Sequence, residues 1–232
     1  MGVDLDEVGS VGGFFALRTG EPGDGHMPLA RLYAGDTAPL TARVDTVAAR
    51  LRTPERRVAA SVAHLGFAAR LWSVALGCAA LHSELPDLDP ARLHWDPSLT
   101  APDDLCLTAV RTVPATAEVV REAVQYSHLV PLADALTADT RISRQLLWGN
   151  AGSALAGAVR ELRAWARRGG RTEVAERTSA LAAGLFAHPD LSGTVEGPAM
   201  RRRTCCLYYR CPSGGLCGDC VFDRPPRHRS AQ

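Results

Sequence analysis

The chain has 232 residues, of which 46% are hydrophobic and 22% charged, with a formal net charge of +1. That length buries a sizeable core, as one large or two small domains, and the composition excludes a disordered chain. Near-neutrality gives no global case for nucleic acid or an anionic membrane as partner. All 26 basic residues are Arg, and the N-terminus lacks a basic stretch followed by an apolar one, so no secretory signal is expected.

Residues 1–37 are Gly-rich and read as a loose leading segment with little regular structure. Pro39 opens a short amphipathic helix over residues 40–51. A second start signal follows at once, with Thr53 as N-cap, Pro54 at the first helical position and Glu55 in the first turn. Val58, Val62, Leu65, Ala69, Trp72 and Leu76 then recur at helical spacing to about residue 81. This is the most apolar stretch of the chain, yet it contains Arg70, which costs about 2.5–3.5 kcal/mol at mid-membrane. A buried helix is therefore expected, and no transmembrane segment.

Pro86, Pro90, Pro97 and Pro102 exclude a long helix between residues 85 and 112, and the apolar runs 93–95 and 105–110 fit two strands of a small sheet. A helix is expected over 115–135, ended or interrupted near Pro131. Another is expected over 143–167, with Trp148, Leu155, Val159 and Leu162 on one face. Its Gly149, Gly152 and Gly157 let a neighbouring chain segment approach closely, and Gly169-Gly170 stops it. A last helix over 172–187 leads through a linker, 189–200, into the tail. The fold expected is α+β and mainly helical: a body over 1–198 with a small sheet, and a C-terminal segment over 199–232.

That segment holds five of the seven cysteines: Cys205, Cys206, Cys211, Cys217 and Cys220. Residues 201–232 also carry seven Arg against Asp219 and Asp223, a net of +5; this leaves 19 basic and 23 acidic residues, net −4, in the remainder. Thiols this dense point to a metal site, a disulfide staple or a redox relay. A reducing compartment disfavours the staple. Cys217-Gly-Asp-Cys220 turns two thiolates onto one metal, as in zinc knuckles and iron–sulfur loops alike. Adjacent side chains diverge, so Cys205 and Cys206 chelate one tetrahedral ion poorly and suit an elongated binuclear cluster better. A zinc site that only folds the tail stays open as an alternative. Cys78 and Cys106 read as inert core thiols, and His64, His82, His94 and His128 show no metal-ligand spacing.

The run Arg203-Thr204-Cys205-Cys206-Leu207-Tyr208-Tyr209-Arg210, then Gly214-Gly215 and Cys217-Gly218-Asp219-Cys220, resembles the C-terminus of the FhuF-like ferric-siderophore reductases. Arg70-Leu71-Trp72-Ser73 and Leu147-Trp148-Gly149-Asn150 are similar to segments of the same family. The resemblance implies a 2Fe–2S cluster held by Cys205, Cys206, Cys217 and Cys220, with Cys211 departing from the pattern. It implies an oxidoreductase that reduces Fe(III) in an oxygen-donor, hydroxamate-like siderophore to release Fe(II). No dinucleotide-binding or Walker A motif is present, so a separate donor protein or small reductant is expected to supply electrons. Arg201, Arg202, Arg203 and Arg210 are candidates for docking substrate or donor, or for offsetting cluster charge. The cytoplasm is the expected location, in solution or peripheral at the inner face of the membrane. A regulatory, redox-sensing cluster or a siderophore-binding protein with a zinc tail are the rival readings.

Overall fold

Residues 2–226 of the chain are described by the computed structural model. Helix α1 (Leu5–Gly9) is capped by Asp4, whose carboxylate accepts the backbone N–H groups of Asp6 and Glu7. Strands β1 (Arg18–Thr19) and β2 (Met27–Pro28) and helix α2 (Leu29–Tyr33) follow. The leading segment is thus more ordered than its glycine content implied. Val8, Phe15, Leu29 and Leu32 are buried, and a Cβ at Gly77 would lie 2.9 Å from both Val8 and Phe15. Tertiary packing, with no local periodicity to signal it, supplies this order.

Helices α3 (Ala38–Leu51) and α4 (Arg56–His82) come next. The expected start of α4 is corrected: its N-cap position is Glu55, and Thr53 instead accepts the Glu55 backbone N–H at 3.3 Å in a turn that precedes the helix. Length and composition would allow α4 to cross a membrane, but 72% of its apolar window is buried inside the fold. Arg70 within it pairs with Asp104 at 2.8 Å, both side chains nearly inaccessible. α4 is therefore the central core helix.

Strands β3 (Glu84–Pro86), β4 (Leu93–Trp95), β5 (Leu105–Leu107) and β6 (Thr112–Pro114) occupy the Pro-rich stretch. β4 and β5 pair antiparallel in a four-stranded sheet of order β1-β5-β4-β2, and β3 pairs with β6. The helical run after them is longer than expected. It comprises α5 (Ala117–Arg121), a π-helical stretch (Glu122–Leu129) and α6 (Val130–Thr140). The wide π-helical turn carries the chain past Pro131, which sits in the first turn of α6.

α7 (Arg144–Arg168) and α8 (Thr172–Phe186) complete the helical layer, α7 lying along α4. Strands β7 (Val195–Glu196) and β8 (Arg201–Arg202) then form a hairpin. The boundary expected at 198/199 falls inside that hairpin, so the tail begins structurally with β7. Residues 227–232, including Arg227 and Arg229 of the expected tail, lie outside the described residues.

Candidate metal centre

The tail is seated on α4 and α7 by polar contacts that cross the fold. Gly149 and Gly152 leave room for it: a Cβ at 149 would come within 1.7 Å of the Thr204 hydroxyl, and one at 152 within 2.0 Å of the Thr194 hydroxyl. One turn of α7 thus meets the tail and the loop before it at contact distances that only glycine permits. Beside them the Asn150 amide donates to the Ser61 carbonyl at 2.9 Å and the Ser61 hydroxyl at 3.0 Å, and that hydroxyl donates to the Cys206 carbonyl at 2.8 Å. Ser153 donates to the Asp219 carboxylate at 2.6 Å. Both loops that bear thiols, 204–206 and 217–220, are therefore anchored to the helical body.

Within the tail, Leu207 takes a left-handed backbone conformation and starts a 3₁₀ turn (Tyr208–Arg210). A Cβ at Gly214 would meet the Tyr208 carbonyl at 2.2 Å, so the return after Cys211 also requires glycine. Tyr209 packs edge-on against Phe222, ring centroids 5.6 Å apart, closing the two ends of the loop over each other.

This path sorts the five thiols. The Cys206 and Cys217 sulfurs lie 3.6 Å apart, close to the ~3.8 Å edge of a tetrahedron with metal–sulfur bonds of about 2.3 Å. Their shared S–H···S contact lowers the Cys206 thiol to about 7, helped by the Tyr208 backbone N–H and the Arg202 charge, and raises Cys217. Cys205 is near enough to Cys220 and Cys217 for their charges to raise it, though burial is the larger cause. The Cys205 sulfur accepts the Leu207 N–H at 3.2 Å, and the Cys220 sulfur accepts the Phe222 N–H at 3.5 Å. Cys211 stands apart: it is buried, and the charge that bears on it is that of Glu55.

The donor set fits a binuclear iron–sulfur group. Two anchored loops bring the Cys206 and Cys217 sulfurs together, the Cys205 and Cys220 sulfurs receive backbone N–H groups, and the charge of buried Arg202 bears on Cys205, Cys206 and Cys217. Among the described residues, no three Cys, His, Asp or Glu side chains converge on a single ion position. Cys78 and Cys106 are buried elsewhere in the fold, Cys78 raised by burial to about 12. The four histidines are dispersed, as expected. His128 is held between Tyr33 and the Leu88 carbonyl, whereas buried His64 leaves Nδ1 without a partner.

The arginines divide differently from the sequence reading. Arg202 is fully buried, donating to the Thr204 carbonyl and the Asn150 side chain. It is not available to dock a partner from solvent. Arg201 pairs with Asp223 at 2.7 Å, Arg203 with Glu196 at 3.5 Å and Arg210 with Glu55 at 2.7 Å. The pairs of Arg201 and Arg203, whose carboxylate partners are exposed, are worth about 0–1 kcal/mol each, whereas that of Arg210 with Glu55 is half-buried. Beside them an open bowl of about 320 Å³ is lined by Arg201, Leu216, Cys217, Cys220 and Phe222.

Ser61, Asn150 and Ser153 went unassigned in the sequence. A polar residue set in the Ala/Gly stripe of residues 149–158 was the available signal, since buried polar groups need partners. No curated protein matches the chain. A family model does match the tail, over residues 202–222, the stretch that bears all five clustered thiols, so this chain carries a FhuF 2Fe–2S C-terminal domain.

Proposed function

We propose that the protein is a ferric-siderophore reductase whose 2Fe–2S cluster is held by Cys205, Cys206, Cys217 and Cys220. The match of residues 202–222 to the FhuF 2Fe–2S C-terminal domain carries this reading, and the grouping of those four thiols apart from Cys211 supports the ligand set. When bound, such a cluster supplies one-electron transfer. The electron comes from an external reductant and ends on the chelated ferric ion, which leaves as Fe(II). Oxygen-donor chelators hold the harder ferric ion more tightly, so that single electron turns a locked ion into a releasable one.

The residues of this chain have three tasks in that scheme. Ser61, Asn150 and Ser153 hold the thiol-bearing loops rigidly on α4 and α7. Leu216, Phe222 and Arg201 form the open bowl beside Cys217 and Cys220, which admits the edge of a chelate close to the thiols. Arg201, Arg203 and Arg210 exchange their carboxylate partners for an anionic chelate or an acidic donor surface. The cytoplasm is the setting that keeps these thiols reduced.

The deciding experiment is anaerobic purification with quantification of iron, sulfide and zinc, followed by EPR before and after dithionite. Two irons and two sulfides per chain, with a spin-half signal on reduction and single-turnover release of Fe(II) from a ferric trihydroxamate, support the reading. Stoichiometric zinc with failed cluster reconstitution overturns it in favour of a zinc-stapled tail.

A further inference from the structure

Among the described residues, two arginines are almost completely buried, and they differ in their partners. Arg70 is 1% exposed and has a carboxylate, Asp104, at 2.8 Å, with the Phe14 and Pro102 carbonyls completing its shell. Arg202 is 0% exposed and meets only neutral acceptors: Nε donates to the Thr204 carbonyl at 2.6 Å and Nη2 to Asn150 Oδ1 at 2.5 Å. Its Nη1 has no hydrogen-bond partner, and among the described residues no carboxylate pairs with it. Asp219 receives the Arg202 backbone N–H through its carbonyl, while its carboxylate accepts from Ser153.

An unpaired guanidinium in the interior costs several kcal/mol unless an anion lies against it. Arg202 spans both thiol-bearing loops: its Nε donates to the Thr204 carbonyl next to Cys205 and its backbone N–H to the Asp219 carbonyl next to Cys220, so its charge bears on the thiols of Cys205, Cys206 and Cys217. We infer that Arg202 is the built-in counter-charge of the iron–sulfur site, a positioning residue that raises the site's affinity for an electron. This rests on the assignment of the four cysteines as ligands. Two ferric ions, two sulfides and four thiolates sum to a dianion, and one added electron makes a trianion. A fixed buried cation therefore stabilises the reduced form more than the oxidised form. Arg201 and Arg203 share the motif's charge but not this role, since each already has a carboxylate partner, Asp223 and Glu196.

Arg202→Gln keeps hydrogen-bonding capacity and removes the charge; Arg202→Lys keeps the charge. The full-length proteins are reconstituted anaerobically, and midpoint potentials are read by EPR-monitored titration. For Arg202→Gln the ratio of reduced to oxidised protein, at the wild-type midpoint, is expected to fall at least tenfold, about 59 mV for one electron. Arg202→Lys is expected to recover most of that shift. Denaturant melts of the apo forms give a second readout. Apo Arg202→Gln is expected to equal or exceed apo wild type, because the cation it lacks is uncompensated without the cluster, and loading stabilises wild type more than the variant. An unchanged or raised potential in a normally loaded Arg202→Gln overturns the inference alone. So does a variant that fails to load and whose apo form is markedly less stable than apo wild type, which makes Arg202 a structural group only. Wild type that takes up no iron and sulfide overturns the ligand assignment and, with it, the role of Arg202.

Discussion

Gly149 and Thr204 touch where a helix of the body meets the thiol-bearing tail, and any side chain at 149 would overlap the Thr204 hydroxyl and Cβ, at 1.7 Å and 2.9 Å. The next residue on the helix, Asn150, bonds both Ser61 of α4 and Arg202 of the tail. One turn of α7 thus provides both the close approach and the polar clasp that orient the cysteines. The body, which lies outside the matched stretch 202–222, is in this sense part of the metal site.

Gly149→Ala tests that contact. At an open helical position, Ala would add about 1 kcal/mol of stability. Here the overlap reverses the sign, with an expected net loss of about 1–3 kcal/mol and a several-fold fall in iron and sulfide retained per chain. Adding Thr204→Gly removes the obstructing atoms and is expected to recover much of the loading. A Gly149→Ala protein with full loading and raised stability would show that the tail docks elsewhere.

Asn150→Ala breaks the clasp without crowding. It strips a partner from a buried guanidinium and leaves the Ser61 carbonyl without its amide donor. Losing a hydrogen bond to a buried charged group costs about 1.5–3 kcal/mol. Urea denaturation is expected to show this as a lower midpoint at unchanged slope. A cost under 0.5 kcal/mol would mean that water or a neighbouring group takes over the bonds.

What the sequence made legible follows the range of the interactions involved. Residues 58–76 and 143–167 carry strong local periodicity, and α4 and α7 appear where that periodicity puts them, as do β4 and the core of β5. Thr53 failed as a cap because its hydroxyl serves a turn two residues earlier than the helix. Pro131 did not end its helix because the π-helical stretch before it absorbs the irregularity. The motif located the thiol-rich stretch that the family model matches, while the pairing of Cys206 with Cys217 depends on the path of residues 207–214. The clasp was beyond reach. Asn150 and Ser61 are 89 positions apart, and nothing local distinguishes Arg202 in an Arg-Arg-Arg run from its solvated neighbours.

The sorting of the thiols gives a comparison within one loop. Cys211→Ser is expected to keep two irons and two sulfides per chain and an unchanged visible spectrum. Cys206→Ser removes the sulfur 3.6 Å from Cys217 and is expected to abolish or strongly reduce loading. Equal losses in both variants would place Cys211 among the ligands and displace one of the four.

Two buried histidines predict the acid side of the stability profile. Burial holds His64 down to about 3 and His128 down to about 4, from the ordinary 6.5. His128 is fixed neutral, since the Tyr33 hydroxyl donates to Nδ1 and Nε2–H donates to the Leu88 carbonyl. Both groups bind a proton more readily in the unfolded chain than in the fold. Their contribution is therefore fully present above pH 6.5 and is lost as the pH falls from there toward 3–4. Between pH 7 and pH 5 each withdraws about 2 kcal/mol. The denaturation free energy of the apo protein, free of cluster loss in acid, is expected to fall accordingly over that interval. His64→Leu removes one titrating group from a site where Nδ1 is already unpartnered, and the slope of stability against pH is expected to shallow by about half. An unaltered slope in that variant would mean that His64 is protonated or hydrated in the folded protein, and the cavity around it would then have to be open to water.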